Sequence, residues 1–571
     1  MYYLDKLVDC KYFASRLLGL NSLFDKPGCI IEIELDRDID NVASIFVNNL
    51  SRVLDEVNEF KYQIKKSVYS TGFQVGISAP YDLIYVLCSV MDEVWESTAH
   101  ALDNAINIDF NRLVNMANAY IKQDINLLVR KIAKTANARK VNFFINNDIV
   151  YLGSGKYGYA QKINKIKKIN DIPWEKIKDV PIALVTGTNG KTTTTRLTEF
   201  ICRKSGLKSG YCSSDWVMNN GKIVTKGDFS GPMGHHLVLS NPKLDVAILE
   251  VARGGILKRG ILPNYTVSAT VTNISQDHLG DSGIENLDDL ARLKGLIYNS
   301  LLDTGCAIIN LDDEHIRKLN ILHQVKCYLS TKLSEEEIST YLTQDNFVVF
   351  IDGNDIILKL INKRYIIANL LFVPLTIHGL AKYNYENILH AVALSYSLGI
   401  KPSDIKAGLL KFASNNNFNY GRWNYFFSKK HGHIVVDLAH NPAGLNSVLA
   451  LARDFKNLFK LSGKLVLMYG VTADRRDTIP EVINVINSYA VDDLVIKDFV
   501  FNLRGSKLGE IPNKLYNALL DHGYPKNKLR IILNELDAAK YLVKRASSND
   551  LTILCTHENI SKVIKIIKQN S

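Results

Sequence analysis

Cysteine and proline are scarce in this chain, at 8 and 13 of 571 residues. The cysteines (Cys10, Cys29, Cys88, Cys202, Cys212, Cys306, Cys327 and Cys555) are scattered, with no CxxC pair and no metal-type cluster with histidine. That excludes a disulfide scaffold and a zinc ribbon, and it predicts free thiols in a reducing cytoplasm. Long apolar runs are missing too. Stretches such as 370–373 and 465–469 fall far short of the roughly 20 residues that cross a bilayer, so no membrane span is expected. Asp5 and Asp9 stand where a secretory leader would carry a positive region and then an unbroken apolar core, so export is not expected. No basic run is interleaved with aromatics as a stacking groove requires. The net charge of +11 is therefore read as a solvated surface, equally compatible with anionic substrates, and no nucleic-acid partner is expected. With 47% hydrophobic and 22% charged residues, disorder is excluded.

At about 150 residues per domain the length points to three or four domains. Residues 1–173 read as an N-terminal α+β domain. Its clearest strand is Gly28-Cys-Ile-Ile-Glu-Ile-Glu-Leu35, followed by helical spacing at Ile45, Val47, Leu50, Val53, Leu54 and Val57 and a second helical run over 81–95. Its one histidine, His100, reads as a surface or capping residue. The Lys-rich stretch Lys162-Ile-Asn-Lys-Ile-Lys-Lys-Ile-Asn170 reads as a linker. Across 174–419, short apolar runs alternate with Gly-rich loops and helical lengths, which predicts a central doubly wound parallel-sheet domain. Residues 420–571 repeat that texture on a smaller scale, as a Rossmann-like α/β domain.

The densest chemistry lies in Pro181-Ile-Ala-Leu-Val-Thr-Gly187-Thr188-Asn189-Gly190-Lys191-Thr192-Thr193-Thr-Thr195. A buried strand leads into a glycine turn, and Lys-Thr opens a helix. Glycine lets N–H groups approach phosphate oxygens, the helix N-terminus adds a favourable dipole, lysine supplies a mobile charge and the Thr192 hydroxyl can ligate Mg²⁺. The pattern is GxxGKT, with Val185 where the general phosphate-loop pattern has its first glycine. It predicts a nucleoside triphosphate site, against the alternative of a ligand-free Gly-rich turn. Glu250, at the end of another apolar run, can reach the metal held by Thr192, although a salt bridge to Arg253 is an alternative. His278 follows the next strand and suits a second metal or a phosphate contact, with simple capping as the other possibility.

The string GTNGKTTT resembles that of Mur ligases and folylpolyglutamate synthetases. Asp245-Val-Ala-Ile-Leu-Glu250-Val-Ala-Arg253-Gly-Gly-Ile-Leu-Lys-Arg-Gly260, Thr272-Asn-Ile-Ser-Gln-Asp277-His278-Leu-Gly280, Gly227-Asp-Phe-Ser-Gly-Pro232, Asp474-Arg-Arg-Asp477 and Leu503-Arg-Gly-Ser-Lys-Leu-Gly-Glu510 look most like the Mur-ligase-like module of cyanophycin synthetase. The resemblance runs from about Pro181 to the C-terminus. It implies that Lys294 occupies the position of a carbamylated lysine that helps bind a second Mg²⁺, where composition alone would give a helix-surface lysine. It implies that Asn384 and Asn387 contact the nucleotide base, although Asn384 also reads as an N-cap. It implies that Arg422, in Tyr420-Gly-Arg422-Trp423, reaches the polyphosphate, and that Asp437, His440 and Asn441 of Val436-Asp437-Leu-Ala-His440-Asn441-Pro442 lie near the ribose and the reacting phosphate; an Asx turn before a helix is the competing reading. Leu438 departs from the usual tyrosine.

The implied cofactors are ATP and two Mg²⁺ ions, held by Thr192, Glu250, His278 and Lys294. The implied reaction is ATP-dependent ligation of a carboxylate, activated as an acyl phosphate, to an amino acid amine. The carboxylate belongs to a peptide or polymer acceptor, which the N-terminal block would hold. The ATP-grasp module of cyanophycin synthetases has no counterpart here, because only about 30 residues separate the weak junction-like motif at 151–157 from the phosphate loop. A phosphate-loop ATPase without ligase chemistry and an accessory partner of a cyanophycin-type synthetase are the alternatives. Assembly as a homo-oligomer is a further expectation.

Overall fold

A computed structural model describes residues 6–276 and 282–570. The first sheet is antiparallel, in the order Tyr12–Leu17, Gly28–Glu34, Gly72–Ser78, Ile64–Tyr69. Helices Ile39–Val57, Ile84–Asn104 and Phe110–Asp124 pack with it around one core. The first of these turns Val42, Phe46, Leu50, Val53 and Val57 inward at spacings of three and four, whereas Ile45 and Val47 sit beside that stripe. Trp95 anchors the core, edge-on to Phe46 and Phe73. The helix expected over 81–95 begins at Ile84 and continues to Asn104.

The stretch expected to be a linker is folded instead. It forms the edge strand Tyr159–Lys162 of a three-stranded antiparallel sheet, then 3₁₀ turns at Ile163–Lys165, Ile169–Asp171 and Trp174–Lys176. Isoleucines recur every third residue at 163, 166, 169 and 172, and Ile166 and Ile172 are buried in a small core shared with helix Leu127–Ala138. A period of three is the 3₁₀ signature, and the lysines between the isoleucines point outward.

The central sheet has eleven strands, in the order Lys222–Lys226, Trp216–Asn219, Ser209–Cys212, Val246–Glu250, Ile182–Thr186, Thr266–Val271, Leu301–Asn310, Lys326–Ser330, Phe347–Asp352, Asp355–Leu360, Lys363–Asn369. Seven consecutive strands from Ser209–Cys212 to Phe347–Asp352 are parallel, and antiparallel strands extend both edges. Helices Lys191–Lys204, Tyr383–Ser397 and Pro402–Leu409 cover one face. Pro232–Leu239, Arg253–Arg259 and Leu287–Gly295 cover the other. Burial on both faces is why Ile182–Thr186 and Val246–Glu250 are continuous apolar runs.

The last sheet orders as Asn424–Ser428, Gly432–Asp437, Leu551–Cys555, Leu465–Tyr469, Asp493–Ile496, Leu529–Ile531, parallel except for its first strand. Its helices also pack on both faces. The architecture is thus mixed α/β, with a large central sheet and a smaller C-terminal one. All eight cysteines are free thiols. Among the described residues no helix is long and apolar enough to cross a membrane.

Candidate active site

The carboxyl end of Ile182–Thr186 faces the carboxyl end of Gly432–Asp437 across a cleft of about 670 Å³. On the central side the phosphate loop demands glycine twice. Gly187 has φ +142° and Gly190 φ +84°. A Cβ at the first would strike the Thr272 hydroxyl, and one at the second the Asn387 amide. The loop is clamped by residues 272–275, which follow the neighbouring strand. Asn189 N donates to Asn273 Oδ1 at 2.9 Å, Thr188 N donates to the Asn273 carbonyl at 2.8 Å, and Thr272 Oγ1 donates to the Asn189 carbonyl at 2.6 Å. Lys191 Nζ folds back onto the Gly187 and Thr188 carbonyls, donating at 3.0 and 2.9 Å.

Thr192 Oγ1 donates to Glu250 Oε2 at 2.9 Å, and the Ser214 hydroxyl lies 3.4 Å from Thr192 Oγ1. Glu250 is 1% exposed, and burial pushes its carboxyl above the usual carboxylate range against the pull of Lys191 and the Thr192 hydrogen bond. Among the described residues no group of three or more His, Cys, Asp or Glu side chains converges as a metal cage. Mg²⁺ does not ask for one. It is commonly held by one or two protein oxygens together with phosphates and water, and a buried carboxylate beside a hydroxyl at a phosphate loop fits that donor set. Lys294 is not on the surface, as composition alone suggested. It is 3% exposed, lines the cleft, and its Nζ donates to the Gly187 carbonyl. His278 lies outside the described residues.

The opposite wall comes from the last sheet. Asp437 Oδ2 accepts from Trp423 N at 2.7 Å and Oδ1 accepts from Ala439 N at 2.8 Å, and burial raises its carboxyl against the opposing charge of Arg422. His440 Nδ1 lies 2.8 Å from the Leu438 carbonyl. Asn441 caps helix Pro442–Leu458 through Gly444 N, while its Nδ2 reaches Asn189 Oδ1 at 3.2 Å across the cleft. The Asx cap is therefore real, and it coexists with a contact to the phosphate loop. Asn384 is not an N-cap. It is the second residue of its helix, and its Nδ2 donates to the Leu375 carbonyl at 3.0 Å. Its Oδ1 accepts from Asn387 Nδ2 at 2.9 Å, which orients Asn387 toward the loop.

Thr188, Asn189, Gly190, Lys191, Thr192, Thr193, Glu250, Lys294, Asn387, Arg422, Asp437 and His440 all line this one cleft, with Gly187 and Asn384 directly behind it. Three contributors were not singled out in the sequence. Glu386 lines the cleft between the two asparagines, its carboxyl pushed up to about 6 chiefly by burial; the polar string Asn-Tyr-Glu-Asn was the available signal. Ser214 and Arg196 act from within or behind the wall, and only folding brings them there.

Residues 185–395 match the Mur ligase middle domain and residues 421–556 match the Mur ligase, glutamate ligase domain. The chain belongs to the Mur ligase family. It is 31% identical over 402 residues to cyanophycin synthetase of Crocosphaera subtropica, covering 70% of this chain and 45% of that protein. It is 27% identical over 384 residues to UDP-N-acetylmuramoyl-L-alanyl-D-glutamate--2,6-diaminopimelate ligase of Prochlorococcus marinus subsp. pastoris, covering 65% of this chain and 71% of that protein. A solved pseudomurein peptide ligase type C from Methanothermus fervidus aligns at 19% identity and a TM-score of 0.48 over 72% of this chain and 84% of that one. The chain spans less than half the length of the cyanophycin synthetase it matches.

Proposed function

We propose that this Mur ligase family member is an ATP-dependent ligase that joins a carboxylate to the amine of an amino acid through an acyl phosphate. The observation that carries this reading is the cleft itself, where a phosphate loop with its Thr192–Glu250 pair faces Arg422, Asp437 and His440 from a second sheet. An ATPase that only hydrolyses or switches needs the first wall; a ligase also needs a second one to hold an acceptor and keep water from the activated acid.

In this reading Lys191 and Arg422 balance charge on the transferring phosphoryl group, since phosphoryl transfer depends on positioning and electrostatics more than on covalent chemistry. Asn387 borders the base, Asn384 holds Asn387 from behind, and Asp437 orders the ribose side. Mg²⁺ held by Thr192 and Glu250 would supply charge neutralisation at the phosphates. Lys294, buried beside Gly187, is assigned a carbamate, which turns a cation into the hard oxygen donor that a second Mg²⁺ prefers. His278 is assigned to that same ion. The substrate carboxylate attacks the γ-phosphorus, ADP leaves, and the amine then adds to the acyl carbon and expels phosphate. The acceptor is a peptide or polymer carboxylate bound by the N-terminal block, and the reaction belongs to the cytoplasm.

The test is ADP and phosphate release measured across a panel of amino acids, with and without polyaspartate or a short acidic peptide as acceptor. Release that needs both an amine and the acceptor supports the ligase. Release indifferent to both contradicts it and restores the simple ATPase.

A further inference from the structure

Arg196 lies one turn beyond the phosphate loop, on helix Lys191–Lys204, and its side chain is 1% exposed. A guanidinium cannot shed its charge, so burial obliges the fold to provide partners. Those partners come from two separate parts of the chain, residues 215–216 and Tyr420. Nη2 pairs with Asp215 Oδ2 at 2.5 Å, Nη1 donates to the Tyr420 carbonyl at 3.0 Å, and the guanidinium lies over the Trp216 ring at 4.3 Å. Tyr420 packs its own ring on Trp216 at 5.5 Å.

Each partner leads to the cleft. Asp215 follows Ser214, whose hydroxyl lies beside Thr192 Oγ1, and the Asp215 charge adds to what raises the Glu250 carboxyl. Tyr420 precedes Gly421, with φ +72°, and then Arg422 on the opposite wall. Alongside, Thr193 Oγ1 and Asn419 approach at 3.4 Å, and Asn424 Nδ2 donates to the Asn419 carbonyl at 2.9 Å, so the seam between the two large sheets is laced to the phosphate-loop helix.

We infer that Arg196 is a positioning residue: it ties the main chain at Tyr420 to the phosphate-loop helix and so sets where Arg422 stands over the bound phosphates. It touches no substrate. Because the helix that carries Lys191 also carries Arg196, a shift of that helix on nucleotide binding is passed to the seam through one rigid, two-pronged side chain. Lysine, with a single ammonium, cannot hold Asp215 and the Tyr420 carbonyl in the same planar geometry. The inference rests on the ligase reading for its kinetic consequence. Its structural part, coupling of nucleotide binding to the seam, stands apart from that reading.

The test compares wild type with Arg196→Lys, Asp215→Asn, Arg422→Ala and the double variant Arg196→Lys/Arg422→Ala. Dissociation of a non-hydrolysable ATP analogue is measured by calorimetry, and the analogue-induced change in scattering radius by solution scattering. The expectation for Arg196→Lys is an analogue affinity within about threefold of wild type, a kcat lowered 30-fold or more and a KM for ATP changed little. The radius change is smaller, and the double variant is no slower than Arg422→Ala alone. Asp215→Asn keeps the guanidinium and serves if the first variant does not fold; it should show the same pattern, weaker. Independent, multiplicative losses for Arg196→Lys and Arg422→Ala, or an unaltered radius change, would overturn the inference. If every protein lacks ligase turnover yet the radius change is lost in Arg196→Lys, the ligase reading fails while the coupling stands.

Discussion

Two glutamates are sunk equally deep in this protein, Glu250 and Glu535, each 1% exposed and each near the carboxyl end of a parallel sheet, yet their surroundings differ. Glu535 is saturated. It takes Lys497 Nζ at 2.8 Å and the main-chain N–H groups of His557, Glu558 and Asn559 at 2.8, 3.2 and 2.7 Å, with both members of the ion pair fully buried. Glu250 accepts the Thr192 hydroxyl, and burial holds its carboxyl above the normal range. The lesson is that a carboxylate whose neighbours all belong to the chain serves the fold. One that lines the cleft and is held above the normal range by burial is the one proposed to meet a ligand, at a cost in stability.

That contrast can be broken from either side, and the largest effect is expected in activity. Glu250→Gln or Lys191→Ala should lower ligation at least about 1000-fold, as loss of a preorganised electrostatic group does, with circular dichroism unchanged and melting still cooperative. More than a few per cent of wild-type turnover in either variant would contradict the site.

Next in size is the fold. Lys497→Met leaves Glu535 charged and unpaired inside the protein, which should cost about 3–5 kcal/mol and lower the Tm by roughly 10 °C. The double variant Lys497→Met/Glu535→Leu should recover much of that loss, because a buried pair is often replaceable by apolar residues. A melting curve for Lys497→Met that matches wild type would remove the structural role.

Lys294→Ala should be inactive and regain activity with formate or acetate at high concentration, since small carboxylates replace the carbamate oxygens. Absence of both rescue and a carbamate mass on the lysine would reject the modification.

The smallest effect concerns pH. The Glu250 carboxyl is raised in the folded protein, so the native state holds its proton more tightly than the unfolded chain. Stability attributable to this group is therefore full below the unfolded value near about 4.3 and is lost as pH climbs toward the folded value. Without Mg²⁺ and nucleotide, Glu250→Gln should thus melt higher than wild type at pH 8, by on the order of 1 kcal/mol, and the gap should close near pH 4. A gap that widens on acidification would have the wrong sign.

How much of this was written in the sequence depends on how far apart the partners lie. The phosphate loop was legible because strand, glycine turn and helix are contiguous, and Glu250 because it ends an uninterrupted apolar run. Arg196 was not, since its partners are 19 and 224 residues away. The same holds for Lys497 and Glu535, 38 residues apart on neighbouring elements. The antiparallel edges of the central sheet were missed because Lys222–Lys226 is almost entirely exposed and carries no apolar run. At the other edge the sequence does carry a signal, Gly353-Asn354, a two-residue turn between apolar stretches that closes the hairpin Phe347–Asp352 and Asp355–Leu360. In the N-terminal block the strand at 28–35 stood out through its alternation. Gly72–Ser78 is buried throughout but interrupted by Gln74, Gly76 and Ser78, and the apolar-run criterion cannot see it.

The central claim is that this cleft activates a carboxylate before an amine arrives. The direct measurement is to label the acceptor carboxylate with ¹⁸O, let one turnover run with ATP, Mg²⁺ and the amino acid found in the panel, and weigh the released phosphate. An acyl phosphate expelled by the amine carries one carboxylate oxygen away with phosphorus, so one ¹⁸O per phosphate is predicted. Unlabelled phosphate released at the same rate would mean that water, and not the acceptor, attacks the nucleotide, and the ligase account would be wrong.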